Sequence, residues 1–123
     1  MKKYLLSSGI LFLGALKAYV FDEFINPPKE KNSLRSYRKT IDDFDYAVID
    51  LLAKRKEVVR KIGQYKQTKG MDPLQNKRWK DLLISRIEYG KERGLSSKFI
   101  EKVWNEIHNE SLSLQYKMKK KEA

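Results

Sequence analysis

Residues 34–69 read LRSYRKTIDDFDYAVIDLLAKRKEVVRKIGQYKQTK, without a proline, and Ser33 stands before them as an N-cap. Apolar residues recur in this stretch at helical spacing, which is typical of a helix with one packed face. Those residues are Ile41, Phe44, Val48, Leu51, Leu52, Val58, Val59 and Ile62. At about 1.5 Å per residue such a helix would span roughly 50 Å, too long to fold back within one small monomer. The stretch therefore predicts a single long helix from 34 to 69, and its length favours a dimer.

The residues after this stretch predict two more helices. Gly70 ends the first helix, and we expect Asp72 to be the N-cap and Pro73 the first turn of the second. The second helix should stop near Gly94, and the segment LSS at 95–97 should start the third. Neither a strand nor an internal repeat is indicated. The predicted fold class is all-α: a three-helix protomer with a long first helix.

Composition limits the kinds of chemistry open to this chain. Its 123 residues hold a single domain, which we place at 34–116, followed by a basic tail at 117–123 that should fray. Cysteine is absent and His108 is the only histidine, so disulfides are excluded and a zinc site is not expected. The formal net charge of +11 suits an anionic partner: nucleic acid, acidic lipid or an anionic metabolite. Charge alone does not choose among the three.

The amino-terminal residues, 1–21, predict a signal peptide or a membrane anchor. A basic start precedes a mostly apolar run at 4–21, which is the pattern of a secretory signal. The run is at the short end for a helix that spans a bilayer, and a buried core helix or a misplaced start codon is the alternative. Residues 22–33 contain two prolines and predict a linker. We therefore expect export to the periplasm or membrane anchoring, with membrane contact through residues 4–21, and a cytoplasmic location otherwise.

Two cations of the first helix project from the same edge. Arg55 and Lys66 are eleven residues apart, almost three whole turns, so their directions differ by about 20°. Cations beside an apolar stripe are explained either by an anionic ligand or by solvated edge positions. Arg38 lies roughly 100° around the helix from Arg55, so in an intertwined dimer it could serve the pocket of the neighbouring chain.

The third helix carries two neutral polar residues on its apolar side. Ser111 and Gln115 form an i, i+4 pair and continue the line of Ile107 and His108. Such side chains are either satisfied core residues or donors aimed into a cavity, and the pattern leaves both open. His108 itself is interpreted as a partly exposed helix residue rather than a catalyst.

Several segments resemble the all-helical, or type II, chorismate mutases. In the first helix they are RKTIDDFD at 38–45, IDLLAKR at 49–55 and IGQYK at 62–66. Arg78 with DLL at 81–83 resembles the second helix of that family, and ESLSLQ at 110–115 resembles the third. The likeness extends over about 34–115, and the combined spacing of Arg, Arg, Lys, Arg, Ser and Gln is a specific signal.

The resemblance implies a mutase that converts chorismate to prephenate for aromatic amino-acid biosynthesis, with no cofactor and no metal. Two protomers would pair through their long first helices into an intertwined homodimer with two sites. Lys66 and Gln115 would donate to the ether oxygen of the substrate, on which charge builds as its bond to carbon breaks. Arg55, together with Arg38 from the other protomer, would hold the two carboxylates of the substrate.

Further binding positions follow from the same resemblance, and two of them are altered in this chain. Arg78 and Ser111 match binding residues of the family. Gln75 and Trp79 stand where the family has acids that contact the ring hydroxyl of chorismate. Gln75 can still form a hydrogen bond, whereas Trp79 offers an indole N–H and a large apolar face that could pack with the leucines of its own helix.

These departures leave alternatives to the mutase open. One is an isochorismate-pyruvate lyase, because those related enzymes also lack the two acids, or an enzyme for another chorismate-like dicarboxylate. Ser111 is mutase-like and favours the mutase. Loss of catalysis is a third alternative, which would leave a basic helical binding protein. Nucleic acid is not expected as a partner, because cations and acids are interleaved along all three helices instead of sharing one basic face.

Overall fold

The computed structural model describes residues 33–122, which form three α-helices and no strand. They are α1 (Leu34–Thr68), α2 (Asn76–Lys91) and α3 (Ser97–Glu122). The predicted all-α fold with a long first helix is confirmed, and the predicted end of that helix differs by one residue. The predicted signal peptide or anchor, and all of the predicted linker except Ser33, lie outside the described residues. Within 33–122, no helix is both long and apolar enough to cross a membrane.

Local signals set both ends of α1. The backbone N–H of Ser36 donates to Ser33 Oγ at 3.1 Å, and the N–H of Ser33 donates to Ser36 Oγ at 3.2 Å, so the predicted N-cap is confirmed. At the other end Gly70 adopts φ 63°, and the N–H of Met71 donates to the carbonyl of Lys66 at 2.8 Å. This 6→1 bond around a left-handed glycine is a Schellman motif, which ends the helix. The chain divides into two compact units, and the division falls within α1, after Ile49.

The start of α2 differs from the prediction. Asp72 and Pro73 lie in the connecting loop, and the N-cap of α2 is Gln75, whose carbonyl accepts the N–H of Trp79 at 3.0 Å. Pro73 is buried, and its carbonyl accepts a hydrogen bond from the ammonium of Lys66. Because that contact comes from a side chain of α1, the local sequence signals of a cap and a first-turn proline could not reveal it.

The turn from α2 to α3 follows the predicted signals. Gly94 adopts φ 79°, and the N–H of Leu95 donates to the carbonyl of Gly90 at 2.9 Å, a second Schellman motif. Ser96 then caps α3, because its Oγ accepts the N–H of Phe99 at 3.1 Å. The two helices pack closely at Gly90, where a Cβ atom would lie only 2.6 Å from Cγ1 of the buried Ile100.

Residues 117–122, which the sequence assigns to a basic tail, belong instead to α3, because that helix continues to Glu122. The expected fraying stays a prediction. Met118 packs on α1, because a Cβ atom built at Gly63 would lie 3.1 Å from its Sδ. Lys119 forms an ion pair with Asp72 at 3.5 Å. Cations in the last turn also interact favourably with the helix dipole. These tertiary contacts hold residues that composition alone assigns to a tail.

Candidate active site

Arg55 and Ser111 join α1 to α3. Nη1 of Arg55 donates to Oγ of Ser111 at 2.7 Å, and that hydroxyl in turn donates to the carbonyl of Ile107 at 2.9 Å. Both bonds are half-buried. The hydroxyl of Ser111 is therefore a satisfied group that positions the guanidinium of Arg55, which leaves the other N–H groups of that guanidinium for a ligand.

Two further arginines lie close to Arg55. Burial lowers the pKa of Arg55, and the positive charges of Arg86 and Arg78 lower it further. Among residues 33–122, none of these three arginines forms an ion pair with a carboxylate. Like charges gathered beside a half-buried guanidinium repel one another unless an anion neutralises them. The cluster is therefore suited to a bound carboxylate.

Lys66 lies on the same helix, at the end nearer Gly70. Its ammonium donates to the carbonyl of Pro73, and burial lowers its pKa from the ordinary 10.5. An ammonium has three N–H donors, so one hydrogen bond to the loop leaves two for a ligand. The loop contact thus orients Lys66 without consuming its donor capacity.

Gln115 borders a cavity together with Lys66. The cavity has a volume of about 310 Å³, which is at the small end of the range for ligand sites. It is lined by Gly63, Lys66, Gln67, Gly70, Met71, Pro73, Gln115 and Lys119. Gln115 is only 7% exposed, and its Oε1 has no hydrogen-bond partner among the described residues. Because the amide can rotate to present its oxygen or its NH₂, the cavity contains an unused polar group that a ligand can engage.

Trp79 stacks on His108. The ring centroids are 3.8 Å apart and the planes differ by 8°. Burial lowers the pKa of His108, and the charges of Arg55 and Lys66 lower it further. The imidazole is therefore within electrostatic range of both cations. Burial and these charges favour the neutral form of the ring at neutral pH.

The structure brings together most of the residues that the sequence singled out. Arg55 donates to Ser111, and Trp79 stacks on His108. Lys66 and Gln115 line the same cavity, and Arg78 lies near Arg55. Two predicted residues are not part of this group. They are Gln75, whose amide donates to the carbonyl of Asp72 at 2.8 Å, and Arg38, which is exposed and belongs to the first compact unit.

Sequence reasoning missed Arg86 and Lys119. Arg86 follows Arg78 by eight residues, which is about 80° around the helix, so the spacing gave only a weak signal that the two share a broad face. Lys119 follows Gln115 by four residues and lines the cavity. It was overlooked because the residues after 116 were assigned to a tail. His108 lies in the site as well, as the half-buried partner of Trp79.

Comparisons with known proteins point to one family. A family model described as Chorismate mutase type II matches residues 37–116. Two bifunctional chorismate mutase/prephenate dehydratases of Buchnera aphidicola, from the subspecies Acyrthosiphon pisum and Schizaphis graminum, are 36% identical over 90 residues and 35% over 89. A T-protein of Enterobacter agglomerans is 35% identical over 78 residues. The three alignments cover 73%, 72% and 63% of this chain but 23%, 23% and 21% of the relatives, so the chain spans less than a quarter of their length.

Proposed function

We propose that this chain, which belongs to the type II chorismate mutase family, catalyses the rearrangement of chorismate to prephenate in aromatic amino-acid biosynthesis. The observation that carries the proposal is that Lys66 and the unpaired amide of Gln115 border one cavity. Both can donate hydrogen bonds, so an oxygen atom of a ligand in this cavity could accept from either side chain.

The chemical step requires that charge be stabilised at one atom of the substrate. In the substrate the ether C–O bond breaks while a C–C bond forms, and no proton leaves or enters. Negative charge develops on the ether oxygen in the transition state, so donors fixed there lower the barrier. Lys66 and Gln115 supply these donors, and the hydrogen bond from Lys66 to Pro73 keeps the ammonium in place before substrate arrives.

The arginine cluster would hold the carboxylates. Arg55, fixed by Ser111, can grip a carboxylate with two N–H groups, and Arg78 and Arg86 add positive charge nearby. A dianion bound here would relieve the repulsion among the three guanidinium groups. Holding both ends of the substrate favours the compact conformer in which the reacting carbons meet.

The proposal includes a homodimer in which Arg38 enters the site of the other protomer. Among the described residues, the buried apolar side chains of the helices are Val59, Leu82 and Ile100, a small core for three helices. Leu34, Ile41 and Val48 recur every seven residues in the first half of α1 and are 63%, 57% and 55% exposed. Exposed apolar residues at this spacing are typical of a helix that packs against a second helix. A second copy of the chain would bury them.

The test is an assay of the full chain with chorismate and, separately, with isochorismate. We expect prephenate from chorismate, and the Gln115→Leu variant should lower that rate about 10²–10³-fold, the usual loss for a donor of this kind. Gln64, an exposed glutamine of α1, provides the matched control, since Gln64→Leu should leave the rate unchanged. Pyruvate from isochorismate alone would identify a lyase instead, and no reaction with either compound would refute catalysis at this site.

A further inference from the structure

One group of the proposed substrate has no partner among the residues assigned so far. Besides its two carboxylates and its ether oxygen, chorismate has a hydroxyl on the ring. Ser111 cannot serve it readily, because its oxygen already accepts from Arg55 and donates to Ile107. Gln75 is at the end of the loop before α2, where its amide donates one exposed hydrogen bond to the carbonyl of Asp72. A hydroxyl buried without a partner costs binding energy, so the site needs a further neutral polar group.

His108 is a neutral polar side chain that fits this requirement. It is half-buried on α3, one turn before Ser111 and two turns before Gln115, so its ring is on the side of α3 that carries both. Among the described residues neither ring nitrogen makes a hydrogen bond, although one is a donor and the other an acceptor in the neutral form. The positive charges of Arg55 and Lys66 both act on the imidazole, so the ring is within electrostatic range of the two cations.

Trp79 fixes the direction in which the imidazole can act. Stacking at 3.8 Å with an 8° interplanar angle covers one face of the ring with the indole. The nitrogens therefore interact only along the ring plane, at the edge. A rigid, neutral acceptor is more selective than a solvated one, since it needs no reorganisation when the ligand arrives.

We propose that His108, held flat against Trp79, determines specificity by accepting a hydrogen bond from the ring hydroxyl of a chorismate-like substrate. This inference rests on the proposed function. In this proposal Trp79 orients the imidazole by stacking on it, and Trp79 does not itself bind the hydroxyl.

The experiment compares chorismate with an analogue in which hydrogen replaces the ring hydroxyl. His108→Phe keeps a flat ring on Trp79 and removes both nitrogens. It should lower kcat/KM for chorismate about tenfold, the effect of one hydrogen bond, and leave kcat/KM for the analogue within about twofold. His108→Gln should recover part of the loss, because an amide again offers an acceptor. Asn109→Ala, at an exposed neighbour on α3, is the control and should change neither value.

The outcomes separate this inference from the function on which it rests. Equal losses of kcat/KM with the two substrates would mean that His108 only supports the fold. No loss of kcat/KM with chorismate would mean that another residue binds the hydroxyl. Either result overturns the inference and leaves the proposed mutase activity unaffected. A wild-type chain that converts neither compound overturns the proposed function, and the inference with it. Circular dichroism of each variant establishes that the helices are retained.

Discussion

Gln115 is a buried side chain that the fold leaves partly unsatisfied. A polar group at 7% exposure normally has its hydrogen bonds met, and an unmet one costs about 1–3 kcal/mol. Here the amide oxygen is unpaired beside the cavity, so the ligand-free protein carries that cost. Removing the amide should therefore raise the stability of the fold and lower the activity.

Replacing Gln115 with methionine tests that opposition, because methionine keeps the length of the side chain and removes the amide. We expect the free energy of unfolding to rise by about 1 kcal/mol. We expect mutase turnover to fall about 10²–10³-fold. Urea denaturation at fixed chain concentration and a prephenate assay measure the two effects. If Gln115→Met loses stability as well as activity, the residue serves packing rather than the reaction.

The lowered pKa of Lys66 predicts how activity depends on pH. Burial disfavours its charged form, so the ammonium loses its proton at a lower pH than an ordinary lysine, whose pKa is 10.5. The donor is therefore present below the lowered pKa and is lost as pH rises through it. We expect kcat/KM to fall on the alkaline side with a midpoint below 10.5, because this parameter reports the free enzyme.

A guanidinium at position 66 provides the control for this titration. Lys66→Arg keeps a positive charge over the whole accessible range, so any residual activity of this variant should lack the alkaline fall. The same fall in both proteins would assign it to another group.

At the level of elements, the packing of α2 on α3 depends on the absence of a side chain at Gly90. A Cβ there would lie 2.6 Å from Cγ1 and 3.0 Å from Cδ1 of Ile100, which is 5% exposed. We expect Gly90→Ala to destabilise the fold by about 1–3 kcal/mol, because overpacking outweighs the gain in helix propensity. Chemical denaturation measures the change.

A double-mutant cycle isolates this contact from other effects of the alanine. Ile100→Ala removes the atoms that Gly90→Ala would strike, so Gly90→Ala should be nearly neutral in that background. An equal cost in both backgrounds would place the effect in the backbone of α2 and not in its packing on α3.

At the level of the whole molecule, the proposed exchange of Arg38 between protomers can be tested by mixing two inactive chains. Arg38→Ala and Gln115→Leu should each leave at most about 1% of wild-type turnover. In a mixed dimer one site would combine an intact Gln115 with an intact Arg38, and the other would lack both. Random exchange of equal amounts should therefore restore about a quarter of wild-type activity, as expected for a twofold-symmetric dimer. Absence of any recovery after subunit exchange would contradict donation across the interface.

The same dimer should depend on the apolar stripe in the first half of α1. Ile41→Asp with Val48→Asp places charges on two exposed positions seven residues apart, and we expect the dimer to dissociate into 14.6 kDa chains. Sedimentation equilibrium measures the mass. Tyr46→Asp is the matched control, since Tyr46 is 68% exposed and stands outside that spacing. Dissociation by the control as well would refute the stripe as the interface.

The sequence by itself determined the all-α class, the ends of α1, the start of α3, the family, and most of the candidate site. These depend on local or spacing signals: helical periodicity, a serine cap, glycines that adopt positive φ, and a specific series of charged and polar residues. Export or anchoring through residues 1–21 stays a prediction. So does the intertwined dimer.

Only the tertiary structure decided where α2 begins, that residues 117–122 continue α3, and which site residues contact one another. The ammonium of Lys66 binds the carbonyl of Pro73 and so holds the loop before α2, while Met118 packs at Gly63. The hydrogen bond from Arg55 to Ser111 and the stacking of Trp79 on His108 join residues far apart in the chain. Periodicity and cap signals act over a few residues, whereas these contacts exist only after separate helices have packed together, which is why local sequence could not reveal them.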